Sequence, residues 1–267
     1  MIDEIPLALP RHATSPRQVA RPAAVWRLLQ DAALTASTQR GWPPARYRNS
    51  GVALVLARMI VIHHQELRHY QSPRAHTWVH AFHRRTLTDR ELRLHSDVGL
   101  VASAHQRWAH VSIEDEQMSI VPASDDLIGD FSVHQTAEPA TRMPRFNAAQ
   151  GPKHRFGFRC WYTWLDPLNH VNHPTYLQWC DEAVMQQLAK RGIPPQQLQP
   201  IADQVQYRTP VLGDDPVEVV FDRIGEDGEG GVSIRCVIRN PETEAIYARA
   251  TLMRRLADGA PLAPLLD

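Results

Sequence analysis

The chain has 267 residues, and its 29 Lys and Arg are balanced by 29 Asp and Glu. A neutral chain has no global field to hold nucleic acid or an anionic membrane. A hydrophobic content of 43% excludes a disordered chain, and the length allows one large domain or two of ordinary size.

Cys160, Cys180 and Cys236 are far apart, and none has the spacing of a zinc site. Sparse, odd cysteines are expected of a reducing compartment. The first ten residues lack the basic and long apolar stretches of a signal peptide. The apolar run 52–62 is interrupted by Arg58 and is too short to span a bilayer. A cytoplasmic protein is expected.

In chain order, an amphipathic helix is predicted over residues 23–40, stopped by Arg40-Gly41-Trp42-Pro43-Pro44. Glycine caps such a helix and proline prevents its continuation. Strands rich in Val, Ile, Thr and aromatic residues are predicted at 51–64, 76–84, 91–97 and 105–113. Residues 122–153 are rich in Pro, Ala, Ser and Asp without a sustained period, as expected of a linker. A strand at 155–162 then precedes a second helix at 175–191. That helix stops at Arg191-Gly192-Ile193-Pro194-Pro195, 151 residues after the first signal. Strands follow at 203–209, 217–224, 232–238 and 246–254, with a turn-rich Gly225–Gly231 stretch between two of them. The pattern predicts a duplicated α+β unit, each copy a long helix wrapped by an antiparallel sheet. The boundaries are 1–121 for the first unit, 122–153 for the linker and 154–267 for the second.

The densest polar cluster is Asp166, Asn169, His170, Asn172 and His173, set between Trp164 and a helix bearing Tyr176 and Trp179. A helix start offers backbone N–H groups and a positive dipole end that could hold an acyl oxyanion. Asp166 could act as base or nucleophile, and His170 and the asparagines could orient it, a water or a thioester. Asn, Asp and Pro are also ordinary turn and cap residues. His170 and His173 have no third ligand at regular spacing, so no metal is expected. No cofactor is expected, and no glycine-rich phosphate loop is present.

This segment resembles the signature of hotdog-fold thioesterases, in which a D-x-x-x-H-V-N-N-like loop precedes Y-x-x-W on a long central helix. Asp166, His170-Val171-Asn172, Tyr176 and Trp179 carry the likeness. The duplication is similar to acyl-ACP thioesterases, whose two tandem hotdog units place the catalytic loop in the second. The resemblance spans roughly residues 10–256 and implies Asp166, His170, Asn172, Asn169 and Glu182 as catalytic residues. It implies Tyr176, Trp179, Trp164 and His173 around the substrate. The pattern departs from the family at Leu168, where Asn is usual, and at His173, the fourth residue of HVNN. Tyr207-Arg208-Thr209-Pro210-Val211 offers neither the carboxylate nor the thiol that the family places there. In the first unit Ser15 and Val19 stand where Asp166 and His170 stand in the second, so that unit is expected to lack catalysis and to shape the acyl tunnel. Its run from Val52 to Met59 is a candidate lining.

The implied reaction is hydrolysis of an acyl thioester of acyl carrier protein or coenzyme A. The competing readings are a 3-hydroxyacyl thioester hydratase or dehydratase, and a non-catalytic acyl-binding protein. An acidic carrier would dock on arginines, for which Arg40, Arg46 and Arg48, or Arg84, Arg85 and Arg90, are candidates. Two units in one chain could act as a monomeric pseudo-dimer, or pair further as a homodimer.

Overall fold

The two long helices form where the apolar periodicity places them: α1 at Pro22–Gln39 and α4 at Pro174–Lys190 in the computed structural model. Each begins on a proline, whose fixed φ suits the first helical position. Each ends on a left-handed glycine, Gly41 at φ 81° and Gly192 at φ 74°. The Trp42 N–H then reaches the Ser37 carbonyl at 2.9 Å, and the Ile193 N–H reaches that of Leu188 at 3.1 Å. These are Schellman closures, which satisfy carbonyls left open at a helix end. The structure describes residues 2–114, 118–134 and 140–267.

The chain divides into two compact units: Met1–Thr14 with Gln18–Arg142, and Ser15–Arg17 with Met143–Asp267. In the first, β1 (Asp3–Pro6), β2 (Val52–His63), β3 (Arg74–His83), β4 (Leu87–Ser96) and β5 (Gly99–Ser112) join α1 and the short α2 (Pro44–Asn49) and α3 (Asp125–Asp130). Its antiparallel strands lie in the order β1-β3-β4-β5-β2. In the second, the edge is made by β6 (Asn147–Ala148) and β7 (Lys153–Arg159), which pair with successive parts of β9. The others are β8 (Leu198–Tyr207), β9 (Pro216–Glu226), β10 (Val232–Arg239) and β11 (Ile246–Leu256). The order is β7-β9-β10-β11-β8, the same path as in the first unit.

The strands of each unit bury one face against its long helix. In α1 the buried face is mostly small, with Ala23, Ala24, Ala32, Ala33 and Ala36 beside Trp26 and Leu29. In α4 it is bulkier, with Tyr176, Leu177, Trp179, Cys180 and Val184. Part of the expected linker is structured. Ala123, Leu127 and Phe131, in and beside α3, are buried with Trp42 and Val79 in a cluster that belongs to the first unit. Residues 135–139 of that stretch lie outside the described residues.

His110 is buried on β5, 2.6 Å from the Thr88 hydroxyl, and burial pushes its pKa down from 6.5 to about 4. The unfolded chain therefore takes up a proton that the folded chain refuses as pH falls below 6.5. Stability from His110 is present above pH 6.5 and is lost between 6.5 and 4. Urea midpoints across that range should fall more steeply for the wild type than for His110→Gln.

Candidate active site

The polar loop is a tight, self-bonded turn at the entrance to α4. A single 3-10 turn at Tyr162–Trp164 leads in, and Leu165 and Val171 form an isolated antiparallel bridge that closes the loop's neck. The Asp166 N–H donates to the His170 carbonyl at 2.8 Å, and the Asn169 N–H donates back to the Asp166 carbonyl at 2.9 Å. Asn169 sits at φ 61°, a left-handed conformation that Asn tolerates better than most residues. It is exposed, and its visible role is this turn. The Asn172 N–H donates to the Trp164 carbonyl at 3.0 Å.

Within the loop, Asp166 Oδ1 accepts the Leu168 N–H at 2.8 Å. Its Oδ2 lies 3.5 Å from His170 Nδ1. Both side chains are mostly buried, 18% and 15% exposed, so water reaches the carboxylate while the protein fixes it. His170 Nε2 is buried and has no hydrogen-bond partner among the described residues. The arrangement is a carboxylate–imidazole pair with one carboxylate oxygen held by the backbone and the other turned to the ring.

Long-range contacts clamp the loop. The Val171 N–H donates to the Val211 carbonyl at 2.9 Å, and the Val211 N–H donates to Tyr176 Oη at 3.1 Å. Tyr207 Oη donates to the His173 carbonyl at 2.9 Å, and the two rings meet edge to face at 6.1 Å. Burial pushes the Tyr176 and Tyr207 hydroxyls well above their usual range, so both stay protonated. Trp164 packs edge-on against Phe158 and Trp179, and Trp179 meets Tyr176 at 5.1 Å. Tyr176 and Trp179 are thus core supports of the loop, each 3% exposed.

The helix start offers fewer free donors than its sequence suggests. Pro174 has no N–H, and the Thr175 N–H is taken by the Asn172 carbonyl at 2.9 Å. His170 Nε2 is the buried polar atom left open beside the carboxylate. Glu182 is exposed on α4, where its Oε1 accepts from Gln186 Nε2 at 3.1 Å, and the structure does not bring it to Asp166 or His170. Among the described residues no three His, Cys, Asp or Glu side chains are placed to hold a metal ion.

A groove of about 490 Å³ opens on the chain entering the loop, lined by Arg159, Cys160, Trp161, Tyr162, Thr163 and Asp214. Trp161 and Tyr162 are 65% and 72% exposed, and Trp161 stacks on Trp164 at 4.9 Å. Burial and the neighbouring Asp215 and Asp214 push the Cys160 thiol up to about 11, so it is no thiolate nucleophile at neutral pH. The groove residues and Tyr207 were not singled out as site residues by their sequence. Their only signal there is the density of aromatics around the motif.

The segment 11–21 repeats the loop without its chemistry. A 3-10 turn at Arg11–Ala13 leads in, Thr14 and Ala20 form the bridge, and Gln18 takes φ 59°. The Arg21 N–H donates to the Ala13 carbonyl as that of Asn172 does to Trp164. Ser15 Oγ accepts the Arg17 N–H in place of the Asp166 carboxylate, and Val19 stands in place of His170.

Four of the six arginines in the two clusters are engaged locally, while Arg48 and Arg84 are exposed. Arg90 is 6% exposed, Arg40 pairs with Asp3 at 2.6 Å, and Arg46 lies over the Trp42 ring. Arg85 is held by Asp125 and the Ala123 carbonyl. Local partners and burial take up the charge of Arg40, Arg46, Arg85 and Arg90.

The fold is that of acyl thioesterases in solved structures. An acyl-ACP thioesterase from Bacteroides thetaiotaomicron VPI-5482 superposes with a TM-score of 0.73 at 16% identity, covering 95% of this chain and 98% of its own. The 12:0-ACP thioesterase from Umbellularia californica does so with a TM-score of 0.76 at 15% identity, covering 96% and 94%. A Lactobacillus plantarum protein described as an oleoyl thioesterase gives 0.78 at 15% identity, covering 96% of both chains. A model of the Thioesterase superfamily also matches residues 168–221, from just after Asp166 into the first half of β9. The thioesterase resemblance carried by the polar motif is therefore met both by a family model and by the fold. A search of curated protein sequences returned no significant match.

Proposed function

We propose that the chain is an acyl thioesterase that hydrolyses the thioester of acyl carrier protein, or of coenzyme A, to a free acid and a thiol. It is read as two tandem hotdog units, a non-catalytic one at 1–121 and a catalytic one at 154–267, acting in the cytoplasm. The observation that carries the reading is the Asp166–His170 pair, held 3.5 Å apart by a closed loop at the start of α4.

In this reading Asp166 takes a proton from water as the water oxygen bonds to the thioester carbon; direct attack by the carboxylate is the other route. His170 Nε2 faces the carbonyl oxygen, and Asn172 lies on the same loop. The C–S bond breaks and the thiolate leaves with a proton. Tyr207 and Tyr176 set the helix start and the 207–211 segment against the loop. No carboxylate from Glu182 is required, because Asp166 itself is water-accessible.

Purified protein assayed against a panel of acyl-ACP and acyl-CoA substrates should release free thiol with at least one carrier. Gain or loss of enoyl absorbance without thiol release would support the hydratase reading instead. Tight thioester binding with neither reaction would support the acyl-binding reading.

A further inference from the structure

Away from the loop, the first unit holds a cation that its fold does not balance. Arg90 lies on β4, is 6% exposed, and lines a cavity with Arg40 after α1 and Phe131 after α3. Among the described residues no carboxylate forms an ion pair with it. Its one side-chain hydrogen bond there runs from Nη1 to Thr77 Oγ1 at 3.1 Å, and its guanidinium carbon lies 5.7 Å from the Phe131 ring centroid. Burial pushes the Arg90 pKa down to about 10, which still leaves it a cation at neutral pH. Buried arginines ordinarily sit against a carboxylate, as Arg254 does in the second unit.

The open side of Arg90 faces a small cavity lined by Asp3, Arg40, Val79, Phe131 and Ser132. Two arginines and one carboxylate meet there. Asp3 is already bound by Arg40, through Nη2 at 2.6 Å and Nε at 3.2 Å. The pair leaves Arg90 as excess positive charge. The cavity has a volume of about 10 Å³, room for one water-sized sphere. That space admits a bare halide after a slight shift of Asp3 or Ser132, and it is too small for a carboxylate or phosphate.

We propose that this cavity is a halide site: a chloride ion accepts hydrogen bonds from the free N–H groups of Arg90, assisted by Arg40 and the Ser132 hydroxyl. The ion completes the charge balance between β4, α1 and the chain after α3. The proposal is independent of the thioesterase reading. It makes the first unit, which lacks a counterpart of the Asp166–His170 pair, a binding unit in its own right.

Asp3 is the nearest competing anion, so the site has an internal rival that can be removed. Asp3 and Arg40 are both 17% exposed and lie at the rim, so Asp3→Asn should fold. The thermal midpoint of the wild type should rise saturably with sodium chloride and not with sodium gluconate at the same ionic strength. In Asp3→Asn the half-saturating chloride concentration should fall severalfold, because the ion no longer competes with a fixed carboxylate. In Arg90→Met the chloride dependence should vanish. If that variant does not fold, crystals of the wild type soaked in sodium bromide keep the test open. An anomalous peak within hydrogen-bond distance of the Arg90 guanidinium supports the site. Equal midpoints in chloride and gluconate for both wild type and Asp3→Asn, or a bromide-soaked crystal with no peak in the cavity, would overturn it.

Discussion

Replacing Arg254 by Met is expected to destabilise the chain by about 3–5 kcal/mol, the largest effect of any single change outside the loop. Arg254 is 1% exposed on β11. Its Nε and Nη2 both donate to Asp181 Oδ1 on α4, at 2.9 and 2.8 Å. Its Nη1 lies 2.6 Å from Asp203 Oδ1 on β8. One guanidinium thus ties the long helix to two strands of the sheet behind it. Methionine fills the stem's volume but leaves the buried Asp181 and Asp203 carboxylates without the Arg254 guanidinium. Their folded pKa values would then lie above their unfolded ones, so the loss grows as pH rises and shrinks toward pH 5. Urea denaturation at pH 7.5 and pH 5 reads this directly. Adding Asp181→Asn and Asp203→Asn to Arg254→Met should recover part of the loss at pH 7.5. An Arg254→Met midpoint equal to the wild type at both pH values would refute the account of the triad.

Asp166→Asn is expected to lower kcat for thioester hydrolysis by about 10²–10⁴-fold, the range of a lost general base. The loop should survive, because the Asn side-chain carbonyl can still accept the Leu168 N–H that now reaches Asp166 Oδ1 at 2.8 Å. Far-UV circular dichroism and the thermal midpoint should therefore match the wild type. KM should change little, since the substitution removes a proton acceptor and leaves the groove residues in place. A fall in kcat together with a collapse of the thermal midpoint would assign Asp166 a structural role instead.

The duplication was legible because its punctuation is chemical. Gly41 and Gly192 are needed for left-handed helix closures, and the prolines after them prevent continuation, so both helices fall within one residue of their expected bounds. Strands were legible where apolar or β-branched residues alternate. They were missed where burial is polar: β4 begins with Leu87-Thr88-Asp89-Arg90, and Asp89 is buried because Arg107 and His83 come to it from β5 and β3. No periodicity reports such a pairing. β1 has four residues and is defined by its register with β3, which a local pattern does not carry.

The loop was legible for a related reason. Asp166, Asn169 and His170 are bonded to one another within five residues, so the sequence holds most of the turn's own physics. Its supports lie far along the chain. Tyr207 and Val211 reach the loop only when β8 and the segment after it fold beside α4. The same distance hides the Asp181–Arg254–Asp203 triad, whose helix carboxylate and strand arginine are 73 residues apart. The arginine clusters show the converse error. Adjacency in the chain suggests a basic patch, while the fold gives Arg40, Arg46, Arg85 and Arg90 separate local partners or burial.

The account rests on one loop of two being chemically competent, and a loop exchange tests it most directly. Asp166→Ser with His170→Val gives the second loop the residues Ser15 and Val19 of the first, in a turn that segment 11–21 already forms with them. Thiol release from an acyl thioester, measured side by side, should be rapid for the wild type and at background for the double variant, with both proteins melting at the same temperature. Equal rates of thiol release from the two would contradict the assignment of catalysis to Asp166 and His170.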